Sequence, residues 1–84
     1  MKEIAFSRQA IKTLTRMPTN TRDLIRDKVS QLASDPASLA NNTKRLQGST
    51  NRYRLRVGDW RVIFDDAGNV LFLEQVVSRG GAYR

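Results

Sequence analysis

Apolar and polar residues follow two different rhythms along this chain. Lys2-Glu3-Ile4-Ala5-Phe6 alternates, with Ile4 and Phe6 on one side, which is the period-two pattern of a short strand. Beyond it Ala10, Ile11, Leu14 and Met17 recur at helical spacing, Ser7 stands where an N-cap belongs, and Pro18 closes the segment. A second helix fits from Thr19 or Thr21 onward, with Leu24, Ile25, Val29, Leu32 and Ala33 as its apolar stripe. Asp35-Pro36 stops it, because the proline ring disfavours helical geometry in the residue before it. Residues 37–51 show neither period and read as a loop, anchored by Leu39 and Leu46.

The remainder alternates again. Tyr53, Leu55 and Val57 interleave with Arg52, Arg54 and Arg56; Gly58-Asp59 turns the chain; Trp60, Val62 and Phe64 interleave with Arg61, Ile63 and Asp65. Asp66-Ala67-Gly68-Asn69 supplies a second turn, and the stretch from Val70 to Val77 is the most apolar strand, expected at the centre of the sheet. The predicted order is β-α-α-β-β-β, an α+β arrangement with no repeat or linker. At 84 residues it is one domain, 1–84, since two halves would each fall to roughly 40 residues, where a core needs outside help.

Alternation also sorts the charge. If Tyr53, Leu55 and Val57 face the helices, then Arg52, Arg54 and Arg56 must point to the opposite face, and Arg61 joins them from the next strand. The net charge is +7, and the segment from Lys44 to Arg61 holds six basic residues (Lys44, Arg45, Arg52, Arg54, Arg56, Arg61) against Asp59 alone. Strand arginines can simply lie over an exposed sheet. Like charges on neighbouring strands oppose folding, however, and guanidiniums match phosphate oxygens, so the pattern favours an anionic ligand such as nucleic acid. Trp60 alternates with Val62 and Phe64 and belongs with the core; Glu74 is either a wet-edge residue or an internal partner for one of the arginines.

Composition narrows the chemistry. The chain has no cysteine and no histidine, which removes disulfides, thiol nucleophiles, histidine-based triads and zinc sites of the usual kind. The longest apolar run, Val70-Leu71-Phe72-Leu73, is far short of the ~20 residues that span a bilayer, and no apolar signal region opens the chain. The expected location is the cytoplasm, with no membrane partner.

The stretch Tyr53-Arg54-Leu55-Arg56-Val57-Gly58-Asp59-Trp60-Arg61-Val62-Ile63-Phe64 resembles the RelE/ParE superfamily of toxins from bacterial toxin-antitoxin operons. The likeness extends over nearly the whole chain, through the opening helices, the step from Leu46 to Gly48, and the ending Val77-Ser78-Arg79-Gly80-Gly81-Ala82-Tyr83-Arg84. It implies a small α+β toxin with two N-terminal helices on one face of a mostly antiparallel, twisted sheet. It also implies a cognate antitoxin as partner, operator DNA touched only through that antitoxin, and no metal or cofactor. In the RelE branch, which the residues favour, such toxins cleave messenger RNA on the ribosome; the alternatives are the ParE branch, whose members poison DNA gyrase without cutting RNA, and a binding-only member that has lost catalysis.

Cleaving RNA requires deprotonation and in-line attack by a 2′-hydroxyl, stabilisation of charge on the phosphate, and protonation of the leaving oxygen. By resemblance, the catalytic residues are Arg54, Arg56, Arg61, Arg79 and Tyr83. Arg61 and Arg79 clamp the scissile phosphate, Arg54 and Arg56 orient the backbone, and Tyr83 is the acid/base candidate. Lys44, Arg45, Arg52 and Arg84 are the expected RNA-binding residues. RelE-like nucleases often carry lysines where Arg54 and Arg56 stand, and a basic residue where Gln47 stands. An arginine does not give up its proton, so neither Arg54 nor Arg56 can serve as a base.

Overall fold

The structure, a computed structural model, describes residues 1–78. Strand β1 (Glu3–Phe6) leads into helix α1 (Arg8–Arg16) and helix α2 (Thr19–Ser34). A 3-10 segment, Pro36–Asn42, then precedes strands β2 (Thr43–Arg45), β3 (Arg52–Val57), β4 (Trp60–Asp66) and β5 (Val70–Ser78). The sheet order is β1-β5-β4-β3-β2, antiparallel throughout except for β1, which runs parallel to β5.

Both helices lie on one face. Ala10, Leu14 and Met17 from the first helical segment, and Ile25, Val29, Leu32 and Ala33 from the second, meet Leu55, Val57, Val62, Phe64, Leu71, Leu73 and Val76 of the sheet. Leu39 closes this core from the 3-10 segment, and Trp60 packs against its margin as the alternation requires. Ser7 caps α1 by accepting the Ala10 amide at 3.0 Å.

Three expectations need correction. The stretch 37–51 is not all loop: it contains the 3-10 segment and β2, so the order is β-α-α-β-β-β-β. Three residues are too few for alternation to register, and β2 exists only because it pairs with β3. Ile11 and Leu24, expected in the helical stripes, are 52% and 48% exposed, because only one side of each helix meets the sheet. Finally, β5 is interior but β4 takes the middle position, since the short β2 adds a strand beyond β3.

An irregularity in β5 shapes the other face. Ile63 is opposite Gln75 while Phe64 is opposite Leu73, which leaves Glu74 as the extra residue of a β-bulge. A bulge strands ladder groups, and α1 satisfies them: the Ser7 hydroxyl donates to the Glu74 carbonyl, and the Gln9 side-chain oxygen accepts the Val76 amide. The extra residue lets Leu73 and Val76 both reach the core while Glu74 and Gln75 turn outward.

Candidate nucleic-acid interface

The hairpin fixes the centre of the site. Gly58 has φ 57° and is followed by a residue of ordinary φ, the pattern of a two-residue II′ turn that demands glycine first. A loop of that length pairs Val57 with Trp60 and therefore sets Arg56 directly opposite Arg61. One step outward, β2 pairs with β3 so that Lys44 is opposite Arg54. Because Leu55, Val57, Val62 and Phe64 are buried toward the helices, these four cations share the opposite face of the sheet.

They also share a concavity. A depression of about 240 Å³ is lined by Lys44, Arg54, Arg56 and Arg61 together with Asn41, Asn42 and Thr43. Among its described lining residues there is no carboxylate. Arg61 is held in place by its own turn: Nη1 donates to the carbonyls of Trp60 at 3.1 Å and Gly58 at 3.4 Å, which leaves other guanidinium donors for a ligand. Lys44 and Arg56 are exposed. Four positive side chains around one cleft have the donors to hold an anion such as a phosphate, and the amides and hydroxyl beside them can donate and accept further hydrogen bonds.

The remaining residues expected to bind RNA are placed differently. Arg52 is on the same face but outside the cleft, ion-paired with Glu74 through Nη2 at 2.8 Å and Nε at 2.9 Å. Glu74 is therefore the internal partner that was one of its two expected roles. Arg45 is opposite Tyr53, and so turns to the helix side, where it lines a separate pocket of about 330 Å³ with Tyr53 and Phe64. Arg45 and Lys44, both expected to bind RNA, thus point to opposite faces, as adjacent strand residues do. Arg79, Tyr83 and Arg84 lie outside the described residues. Asn41, Asn42 and Thr43 were missed by sequence reasoning; their only trace was the polar run immediately before Lys44.

Ile63 gives the face its second feature. It is fully buried (0% exposed) yet does not join the helix-side cluster; its cross-strand neighbours are Arg54 and Gln75. The face opposite the helices thus holds one buried apolar side chain beside its cations. Among the described residues no helix is long and apolar enough to cross a membrane.

Two helices on one side of a five-stranded sheet make the fold shared with RelE structures, and the family comparison places the chain among the toxins of the RelE/ParE superfamily. The family model described as the ParE toxin of the type II toxin-antitoxin system parDE matches residues 4–83, and the chain belongs to that family. A curated relative, Toxin RelE3 of Methanocaldococcus jannaschii, is 24% identical over 83 residues, covering 96% of this chain and 94% of that protein. The archaeal RelE-RelB complex from Pyrococcus horikoshii OT3 superposes with a TM-score of 0.77 at 23% identity, over 96% of this chain and 98% of that one. The isolated E. coli RelE toxin gives 0.78 at 17% identity, over 99% and 89%. At such identities these two structures speak for the fold.

Proposed function

We propose that this type II toxin is an endoribonuclease that cuts messenger RNA on the ribosome and so inhibits translation. The observation that carries this reading is the cleft: Lys44, Arg54, Arg56 and Arg61 line one depression with no carboxylate among its described lining. Such a site stabilises the charge that builds on the non-bridging oxygens when a 2′-hydroxyl attacks the adjacent phosphorus. Arg61, anchored to its turn, is the phosphate clamp; Arg54 and Arg56 orient the neighbouring backbone. Arg79 and Tyr83 keep the second-clamp and acid/base roles that the family resemblance gives them. A cognate antitoxin with acidic and apolar residues covers the cationic face when the toxin is held inactive, folding as it binds.

Primer-extension mapping of message ends after brief induction tests the proposal. Discrete cuts within codons are expected, in a cytoplasmic setting and without added cofactor. Relaxed or cleaved plasmid DNA with intact message would replace the reading with the gyrase-poison one. That second reading is favoured by one observation, the ParE description of the matching family model. In it the same basic face docks on a protein instead of cutting RNA.

A further inference from the structure

We infer that Lys44, in place of the Tyr83 that the family resemblance suggests, is the proton acceptor of the cleavage reaction, an assignment that rests on the nuclease reading above. Three of the four cations in the cleft are guanidiniums, which stay protonated under all conditions in which the protein functions. The chain has no histidine or cysteine, and no carboxylate is among the described lining of the cleft. Lys44 is therefore the one described cation of the cleft that can exist as a free base.

Its position suits that work. Lys44 is on β2, the last strand in the order of the sheet, so no described strand flanks it on its outer side. It is exposed, and its side chain makes no hydrogen bond or ion pair among the described residues. The charged groups facing it are Arg54 from β3, directly opposite, with Arg56 and Arg61 further along the same cleft; Asn41 and Asn42 flank it from the 3-10 segment. Directly opposed residues have Cβ atoms about 5 Å apart and diagonal ones about 7 Å, so a phosphate held by Arg61 and Arg56 brings its ribose within reach of the Lys44 amine.

The step balances without a co-reactant other than water. The neutral Lys44 Nζ takes the proton of the 2′-hydroxyl as O2′ bonds to phosphorus and the P–O5′ bond breaks. The leaving O5′ takes a proton from water, and the hydroxide so formed recovers the proton from the Lys44 ammonium. The products are a 2′,3′-cyclic phosphate and a 5′-hydroxyl.

A lysine that merely attracts phosphate is replaceable by arginine, whereas a base is not. Single-turnover cleavage of a defined message on programmed ribosomes, followed across about pH 6 to 9, separates the two for wild type, Lys44→Arg and Lys44→Ala. The expected result is a wild-type rate that climbs with pH. Lys44→Arg should bind programmed ribosomes as wild type does, lose about 10²- to 10⁴-fold in rate and lose the rising limb, while Lys44→Ala is partly rescued by added small primary amines. Lys44→Arg that cuts at the wild-type rate with the wild-type pH profile overturns the lysine assignment and leaves the nuclease reading standing. Lys44→Arg that loses rate only in step with ribosome binding overturns it too, by assigning the residue to binding. Wild-type protein that leaves the message intact overturns both.

Discussion

The sheet face opposite the helices has two ends built from the same alternating strand, and their charges are arranged differently. At one end Arg52 has Asp65 directly opposite and Glu74 in ion-pair contact. At the other, Arg56 is directly opposite Arg61, Arg54 is opposite Lys44, and the cleft they line holds no carboxylate among its described residues. Opposed like charges cost about 0.2–1 kcal/mol per pair, so the second end is electrostatically the less comfortable place in the fold. The difference shows that the total of +7 says little by itself. Its meaning lies in where the basic side chains are placed: Arg52 against Glu74 at one end, and Lys44, Arg54, Arg56 and Arg61 around one cleft at the other.

The sharpest way to break this contrast is to remove cations at each end in turn. The double variant Arg56→Ala/Arg61→Ala should lower RNA cleavage by about 10³-fold or more, since a single lost charge-stabilising donor costs about 10²–10³. Growth arrest on induction should vanish, while urea denaturation shows stability unchanged or raised by up to about 1 kcal/mol, because a repulsive pair has gone. Arg52→Ala should do the reverse, keeping most of the toxicity and losing stability. If Arg52→Ala abolishes cleavage as thoroughly as the double variant, the two ends are one continuous site.

Between the ends stands Ile63, and it predicts the next largest effect. Being fully buried, Ile63→Ala should destabilise the fold by about 2–5 kcal/mol in urea or thermal unfolding. Leu24→Ala, on a residue 48% exposed, should stay within about 0.5 kcal/mol. An Ile63→Ala cost as small as that of Leu24→Ala would mean that this face is plain surface, without a buried apolar side chain between its ends.

Much of this was legible in the chain. Tyr53, Leu55 and Val57 alternate with arginines, and Trp60, Val62 and Phe64 with Arg61, Ile63 and Asp65, so alternation, broken only by the apolar Ile63, tells the helix side of β3 and β4 from the other side. The II′ turn at Gly58-Asp59 fixed the register, and with it the pairing of Arg56 with Arg61. The division of the face was not legible. It depends on the bulge at Glu74, which shows in the sequence only as two polar residues, Glu74 and Gln75, inside an apolar run. The cleft wall was hidden for a different reason: Asn41, Asn42 and Lys44 come together through a 3-10 segment and a three-residue strand, and both form by tertiary pairing without a periodic signal. Ile11 and Leu24 misled because helical spacing reports a stripe wider than the side the sheet covers.

The smallest effect is the most discriminating, because it asks whether the bulge carboxylate divides the face. Glu74→Gln keeps the shape of the side chain and removes the charge paired with Arg52. The pair is partly exposed, so stability should fall by only about 0.5–1 kcal/mol. Arg52 would then be released from that carboxylate, on the same face as the four cations that line the cleft. Binding of a short single-stranded RNA should tighten at low salt, and the slope of log K against log salt should steepen by about 0.7, the increment for one more phosphate contact on a single strand. The two readouts move in opposite directions, weaker fold and tighter RNA, which no general loss of structure would produce. A slope that does not change would place Arg52 out of reach of the nucleic acid, and the boundary of the site would then be set by distance along the strand instead of by the charge of Glu74.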